Sequence, residues 1–282
     1  MALFLICSLF LLLVLGVPVA FALGIVGLAT VLLFDVTSLT QMAHSQFANL
    51  DSFVLLAIPF FILAGNVMVE GRMATPLVDF VRALTRPITG GTAVGAAIAS
   101  ALFGAMTGSS AASAAALGRV TIPELNRLGY PPSFSAGLMA AGGTLGIMIP
   151  PSIVFIIYGA MAQQSVSKLF LAGLLPGIFI TALLAILTYV LVRLNGWADA
   201  GRLELREVAE TLRRATPALL MPGIVLGGIY GGIFTPTEAA AVAALYGLFI
   251  GAIFYRTVTF ENLPRIFVNS AKMTGVILFI IA

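Results

Sequence analysis

Two adjacent serines, Ser109 and Ser110, are the side chains in this sequence best suited to binding an ion. They lie in GAMTGSSAASAAALG, residues 104–118, where most neighbours are glycine or alanine. Ligation by hydroxyl and carbonyl oxygens alone suits a weakly bound, hard monovalent cation such as Na⁺, and it does not suit zinc or copper. One histidine, His44, and one cysteine, Cys7, also leave no ligand cluster and no disulfide framework.

A second polar interruption, AAGGTLGIMIPPSIVF, occupies residues 140–155. Its two prolines remove two backbone donors, and Pro150 disfavours helix at the residue before it. We predict an unwound stretch over Gly142–Pro151 between two half-helices. Its free carbonyls would suit a cation, and the N-terminus of the second half-helix would attract an anion. The alternative is a kinked structural helix whose freed groups are satisfied by neighbours.

The elements that must hold these residues are membrane helices. Hydrophobic residues make up 60% of the 282 and charged residues 9%, far from the balance of a water-soluble domain. Residues 2–34 lack a basic start and run too long for a signal peptide, so they form one kinked segment or two shorter ones. The net charge of +3 comes from arginines in short loops without a basic patch, which does not suggest nucleic-acid binding.

The distribution of arginine gives the chain a direction across the membrane. Further apolar runs lie at 53–69, 88–118, 132–162, 168–192, 217–233 and 237–255, with a last run from about residue 267. Arginines occur in the connections 70–87, 119–131, 193–216 and 256–266, whereas 35–52, 163–167 and 234–236 contain neither lysine nor arginine. The positive-inside rule therefore places the first group in the cytoplasm and the second outside.

This orientation makes residues 88–118 a re-entrant hairpin. The connections on both sides of it are cytoplasmic, and its 31 residues are too few for two crossings, which need about 40. We predict the tip at residues 107–110, with glycine permitting the reversal and serine capping the returning half-helix. The alternative is a continuous helix whose small residues pack against a neighbour. The tip and the unwound stretch together predict a site near the middle of the membrane.

Other polar residues carry less functional weight. Glu238 is an acid near an apolar run, but Thr235–Pro236–Thr237–Glu238 has the pattern of a capping box, which we favour. Lys272 can extend to the membrane surface, and His44 is expected to be solvated. Residues 203–214 are expected to form an amphipathic helix on the cytoplasmic surface.

Three long motifs then indicate a family. TGSSAASAAALG, GGTLGIMIPPSI and GGIFTPTEAAAVAALYG, in this order, resemble the large membrane subunit (DctM type) of tripartite ATP-independent periplasmic (TRAP) transporters, and the resemblance covers essentially the whole chain. It implies a non-enzymatic, Na⁺-coupled importer of organic acids in the bacterial inner membrane. The substrate would be a C4-dicarboxylate, a sugar acid or a keto acid. The partners would be a small membrane subunit (DctQ type) and a periplasmic binding protein (DctP type), with no cofactor other than Na⁺ as coupling ion.

The resemblance also implies roles for particular residues. The Na⁺ site would use Ser109 and Ser110 with the carbonyls around Gly143, Gly146, Met148 and Pro150. The substrate would contact Ser109, Ser110 and Thr144.

The implied fold is an all-α polytopic bundle with a re-entrant hairpin and a broken helix, the first half of an inverted-repeat elevator transporter. We expect four parts: an N-terminal membrane region (1–52), a first transport repeat (53–192), a cytoplasmic amphipathic loop helix (193–216), and scaffold helices with the start of a second repeat (217–282). No second tip or double-proline break appears in 160–282. This predicts a fragment, or a chain that needs a separately encoded remainder.

Two other function classes remain open at this stage. A passive channel is possible because re-entrant segments also build selectivity filters. An intramembrane serine hydrolase would need a base near Ser109 or Ser110, and His44 lies in a distant loop.

Overall fold

The computed structural model describes residues 1–197 and 200–282, and within them it contains helices and no strands. The helices are α1 Ala2–Val14, α2 Val19–Phe34, α3 Leu39–Leu50, α4 Ala57–Glu70, α5 Ala74–Thr85, α6 Gly91–Thr107, α7 Ser110–Arg127, α8 Pro132–Met148, α9 Ile153–Met161, α10 Val166–Asn195, α11 Leu205–Tyr230, α12 Pro236–Phe249 and α13 Leu263–Ile281. A short 3₁₀ turn, Phe53–Leu56, precedes α4, and a π-helical turn, Ile250–Phe254, extends α12. The predicted all-α class is confirmed.

Five helical segments in the described residues are long and apolar enough to cross a membrane. They are Phe53–Glu70, Pro132–Met161, Val166–Asn195, Pro236–Phe254 and Leu263–Ile281. Three shorter apolar helices, α1, α2 and α6, accompany them. This composition is that of a multi-pass membrane protein.

The N-terminal apolar run forms two helices that pack against each other. The chain leaves helical geometry between α1 and α2, where Gly16 has a φ of +80° and Pro18 precedes the first residue of α2. Proline cannot donate the backbone hydrogen bond that a continuous helix would need there. Of the two alternatives for residues 2–34, the structure has the two shorter pieces.

Three of the predicted loops are largely helical, which corrects the sequence-based assignment. Connection 35–52 contains α3, connection 70–87 contains α5, and most of connection 119–131 belongs to α7, which continues to Arg127. Helix α5 shows the reason. Its apolar residues Leu77, Val78 and Val81 are buried, and the helix packs on α6 and α11, while Arg82 is partly exposed and pairs with Asp79 and Glu124. Such an amphipathic helix has too many charges to resemble a membrane span.

The predicted surface helix at 203–214 is also different in the structure. It is the first part of α11, which runs without interruption into the apolar run that begins at 217, so 193–216 is not a separate unit. Pro217 and Pro222 both lie inside this helix. The hydroxyls of Tyr246 and Tyr255 donate to the carbonyls of Pro217 and Arg214, at 2.9 and 2.8 Å, and brace the helix beside its prolines.

The start of α12 has the predicted capping box. The Glu238 backbone N–H donates to Thr235 Oγ1, and the Thr235 backbone N–H donates to Glu238 Oε2 at 2.7 Å. Glu238 therefore serves a helix terminus, as the sequence pattern favoured.

The core of the molecule combines many buried alanines with larger side chains such as Phe61, Phe103 and Phe170. Helix α8 packs against both α6 and α7, and α10 covers α6 and α8 from another side. Helix α4 connects this group to α12 and α13. The large apolar side chains of α1, α2, α10 and α13 mostly point outward, as expected where lipid is as apolar as leucine and close packing stabilises helix association.

Candidate functional site

Helices α6 and α7 form a hairpin whose reversal lies at Gly108 and Ser109, within the predicted tip. Gly108 has a φ of +61°, a left-handed conformation that favours glycine. A Cβ at this position would also lie 2.9 Å from the carbonyl oxygen of Pro151. Glycine is therefore required here both by the turn and by the neighbouring chain.

Three hydroxyls hold the tip in place. Ser109 Oγ accepts from the Ala112 backbone N–H at 3.4 Å and caps α7. Thr107 Oγ1 and Ser113 Oγ lie 2.6 Å apart in a buried hydrogen bond that joins the two sides of the turn. Ser110 is half-buried, and its hydroxyl makes no hydrogen bond within the described part of the chain. It is the tip side chain with the most capacity left for a ligand.

The break between α8 and α9 is shorter than predicted. Helix α8 continues to Met148 and α9 begins at Ile153, so only residues 149–152 are unwound, not 142–151. The glycines predicted to unwind the helix are its packing points instead. An added Cβ would clash with Ser100 Oγ at Gly142, and it would lie 2.7 Å from the Ala114 Cβ at Gly143. Close approach to α6 and α7, not unwinding, accounts for these glycines.

The two prolines explain why the helix stops where it does. Pro150 and Pro151 have no N–H, so the carbonyls of Gly146 and Ile147 lose the donors four residues further on. Ser152 Oγ donates to the Ile147 carbonyl at 2.8 Å and replaces one of them. Because that hydroxyl turns back toward α8, it does not cap α9. The first N–H groups of α9 have no cap from this serine.

The tip and the break meet each other. The Cβ position of Gly108 lies 2.9 Å from the Pro151 carbonyl oxygen and 3.4 Å from the Ile153 nitrogen, and that of Gly146 lies 2.8 Å from the Ser109 carbonyl oxygen. The C-terminal ends of α6 and α8 and the N-terminal ends of α7 and α9 therefore come together. The carbonyl ends of helices favour a cation and the amide ends favour an anion, so the meeting point of these four helix ends could bind both ions.

Some of the predicted site residues are brought together and others are not. Ser109 and Ser110 lie against α8 at Gly146 and Gly143, since the Ser110 carbonyl oxygen is 3.1 Å from the Cβ position of Gly143. The carbonyl of Gly143 lies within the wound part of α8, so the expectation that it is freed by unwinding is wrong. Pro150 is buried in the break itself.

Met148 and Thr144 do not join this group. The Met148 carbonyl oxygen lies 2.8 Å from the Cβ position of Gly173 and thus faces α10. Thr144 is exposed, and its hydroxyl donates to the Ala141 carbonyl at 2.7 Å. Because α8 stays wound, Thr144 lies about 160° around the helix from Gly146. The structure thus places these two residues away from the tip, and their roles in Na⁺ and substrate binding stay predictions.

The structure adds two residues that the sequence analysis did not assign to the site. Gly65 of α4 lies against the tip, since its Cβ position is 2.9 Å from the Thr107 carbonyl oxygen. Ser152 supplies the hydroxyl at the break. Gly65 is the one glycine in the run 53–69, and Ser152 directly follows the two prolines, so both had a local signal.

Comparison with known proteins identifies relatives for nearly the whole chain. A family model described as tripartite ATP-independent periplasmic transporter, DctM component, matches residues 6–282. The chain is 44% identical over 261 residues to the C4-dicarboxylate TRAP transporter large permease protein DctM of Pseudomonas aeruginosa, covering 93% of this chain and 61% of that protein.

Two further relatives carry other substrate names. The chain is 38% identical over 271 residues to the isethionate TRAP transporter permease protein DctMQ of Oleidesulfovibrio alaskensis, covering 96% of this chain and 43% of that protein. It is 38% identical over 275 residues to the 2,3-diketo-L-gulonate TRAP transporter large permease protein YiaN of Escherichia coli, covering 95% of this chain and 63% of that protein. The chain thus spans less than two thirds of the length of each.

Proposed function

Because the chain belongs to the DctM family of tripartite ATP-independent periplasmic transporters, we propose that it acts in the large permease subunit of a secondary transporter that couples the import of an organic anion to Na⁺. The subunit is a multi-pass membrane protein, and we place it in the bacterial inner membrane. The observation that supports this proposal most strongly is the contact between the hairpin tip and the break in the α8–α9 helix.

The tip supplies the oxygens that a hard monovalent cation needs. The Ser110 hydroxyl makes no hydrogen bond to any residue that the structure describes, and Ser109 adds a second hydroxyl beside the carbonyl end of α6. The Gly146 carbonyl has no N–H four residues on, because that position is Pro150. These donors are neutral oxygens with no carboxylate among them, which fits weak and reversible Na⁺ binding. A coupling ion has to be released in every transport cycle, so weak binding is what the task requires.

The break supplies the complementary end for an anion. Among the described residues, no side chain caps helix α9 at Ile153. The Ile153 nitrogen lies 3.4 Å from the Cβ position of Gly108, so the N-terminal end of α9 and its helix dipole lie at the tip. A bound cation next to these groups would strengthen the attraction for a carboxylate. In this arrangement Na⁺ and the anion favour each other's binding, which is the physical basis of symport.

The substrate class and the partners follow from the family. The named substrates of the three relatives are a C4-dicarboxylate, isethionate and 2,3-diketo-L-gulonate, and all three are organic anions. We propose an organic acid of this kind for the present chain. The partners would be a DctQ-type small membrane subunit and a DctP-type periplasmic binding protein, as the word tripartite in the family description suggests. Movement of the hairpin and broken helix as an elevator against α11–α13 is part of the same proposal.

The test is organic-acid uptake into proteoliposomes that contain the permease at full length with its small subunit and binding protein. We expect uptake to require an inward Na⁺ gradient. Ser109→Ala/Ser110→Ala should abolish uptake or raise the Na⁺ concentration for half-maximal uptake at least tenfold. The matched control is Ser100→Ala in the same hairpin, because its hydroxyl already donates to the Ala96 carbonyl at 2.8 Å.

Two results would contradict the proposal. Unchanged Na⁺ dependence in the double serine variant would remove the ion from the tip and leave the serines a packing role. Passive flux of solute without Na⁺ or binding protein would favour a channel. The Ser100→Ala control should keep the wild-type Na⁺ dependence, which separates loss of an ion ligand from general damage to the hairpin.

A further inference from the structure

Two arginines line one cavity away from the hairpin tip, beside the middle of α7. The cavity has a volume of about 270 Å³ and lies between the α4–α5 connection and α7. Arg72 and Arg119 contribute the charge, and Thr75 contributes a hydroxyl. The remaining wall is apolar and consists of Val69, Ala74, Ala116 and Val120.

The charge of this cavity is not neutralised by the described residues. Arg72 and Arg119 are both exposed, and neither forms an ion pair within residues 1–197 and 200–282. The neighbouring cavity beside α5 differs, because Arg82 there is paired with Glu124 and Arg86 with Glu207. Two guanidinium groups that face one cavity without acids repel each other, and an anion between them would relieve that repulsion.

The position of the cavity along the membrane normal indicates which anion. The apolar segment of α4 ends at Glu70, so Arg72 lies just beyond the hydrocarbon region. Arg119 is nine residues after Ser110 on α7, or about 13.5 Å along the helix. With the tip at mid-depth, this distance is close to half of a hydrocarbon core about 30 Å thick. Both arginines would therefore lie near the edge of the hydrocarbon core on the predicted cytoplasmic side, where their long side chains can reach the lipid phosphates.

We propose that this cavity binds the phosphate group of an anionic phospholipid of the cytoplasmic leaflet. The guanidinium groups of Arg72 and Arg119 would donate to the phosphate oxygens, with Thr75 as an additional donor, and the valine and alanine wall would contact the glycerol and upper acyl chain. The inference rests on the proposed placement of the tip in the membrane, and it adds a lipid site distant from the tip. The bound lipid would hold the α4–α5 connection against α7, the returning arm of the hairpin.

Native mass spectrometry of the detergent-purified protein tests the proposal with phosphatidylglycerol as the probe. Phosphatidylcholine and inorganic phosphate are titrated in parallel. We expect phosphatidylglycerol to bind at least tenfold more tightly than phosphatidylcholine, and Arg72→Gln/Arg119→Gln to lose that preference. The matched control, Arg206→Gln/Arg213→Gln, removes the same charge from exposed positions of α11, and its affinity should stay within twofold of wild type.

Three outcomes would overturn the inference. The first is retention of the phosphatidylglycerol preference in Arg72→Gln/Arg119→Gln, and the second is equal loss in both double variants, which would indicate general charge attraction. The third is displacement of the lipid by inorganic phosphate at similar concentration, which would identify a free anion as the ligand. If the double variant does not fold, Arg119→Glu at an exposed helix position should weaken lipid binding by itself. This assay requires no transport, so its failure is distinguishable from failure of the uptake test.

Discussion

Two membrane segments of equal length behave in opposite ways in this molecule. Pro132–Met161, which contains α8 and α9, and Val166–Asn195, which is α10, each comprise 30 residues. In an apolar stretch of 18 residues taken from each, 56% of the first segment is buried inside the protein and only 17% of the second. The buried segment is rich in glycine and alanine, whereas α10 exposes large side chains such as Leu175 and Phe179. In a bilayer the most apolar segment need not be the most buried, because lipid solvates leucine well.

The two segments also differ in whether proline interrupts the helix. Pro176 lies inside α10 and the helix continues, whereas Pro150 and Pro151 end α8. A single proline removes one hydrogen bond, and the turns around it can hold the helix together. Adjacent prolines leave two successive carbonyls without donors. Helix α11 supports this view, since its two prolines are five residues apart and it stays continuous.

The largest expected effect comes from adding a methyl group to the buried face of α8. Gly146→Ala would place a Cβ 2.8 Å from the Ser109 carbonyl oxygen and 2.9 Å from Ser113 Oγ. Because a backbone atom blocks the methyl group, the hairpin must move away, at a cost of about 3 kcal/mol in unfolding free energy. The measurement is an SDS titration in mixed micelles, followed by far-ultraviolet circular dichroism.

Gly137→Ala on the same helix is the control for this prediction. Apart from its chain neighbours and the backbone of its own helix, no atom of the described residues lies within 4 Å of its Cβ position. Alanine is also the better helix former, so stability should stay equal or rise slightly. Equal destabilisation by both substitutions would mean that α8 is sensitive to any added methyl group. The distinction between its buried and exposed faces would then fail.

A smaller effect is expected when the same side chain is shortened in both segments. Leu145 is fully buried in a cluster with Ala101, Ala105 and Ile149, whereas Leu175 on α10 is 77% exposed. Leu145→Ala should lower the unfolding free energy by about 2 kcal/mol, the low end of the range for such cavities. The cost is low because lipid solvates leucine in the unfolded state, so burying this side chain gains less than it would in water. Leu175→Ala should change it little. Thermal unfolding of the two variants checks this, and a similar loss for both would show that α10 is covered by protein.

The sequence predicts those features of the site that depend on neighbouring residues. Glycine and serine in succession indicate the reversal at Gly108–Ser109, and the pattern at 235–238 indicates the capping box. Both features depend only on residues within about one helical turn of each other in the sequence. The class of the protein follows from composition alone, since so apolar a chain requires helices to satisfy its backbone in lipid.

Features that depend on contacts between helices could not be predicted in the same way. A glycine that unwinds a helix and a glycine that permits close packing look identical in sequence, so the extent of the break was overestimated at Gly142 and Gly143. The direction in which Thr144 points also depends on contacts between helices, because it changes with whether α8 stays wound. Helix α5 was missed because its arginines resemble a loop until α6 and α11 supply a surface for its apolar face.

The smallest expected effect concerns a single hydroxyl near the break. Ser152 Oγ and Thr181 Oγ1 each donate to a backbone carbonyl, of Ile147 at 2.8 Å and Gly177 at 2.7 Å. The Ile147 carbonyl has no backbone donor four residues on, because that position is Pro151, whereas the Gly177 carbonyl has the N–H of Thr181 within α10. Ser152→Ala should therefore lower stability by about 1 kcal/mol, the cost of one buried unsatisfied carbonyl, and Thr181→Val should be nearly neutral.

Hydrogen exchange of peptides covering the α8–α9 junction is the most direct measurement of this difference. In Ser152→Ala the amides at the start of α9 should exchange faster, since the hydroxyl no longer ties residue 152 to the end of α8. In Thr181→Val the amides of α10 should exchange as in the wild type. If both variants leave exchange unchanged, another group satisfies the Ile147 carbonyl, and the two prolines alone would then maintain the break that distinguishes α8–α9 from α10.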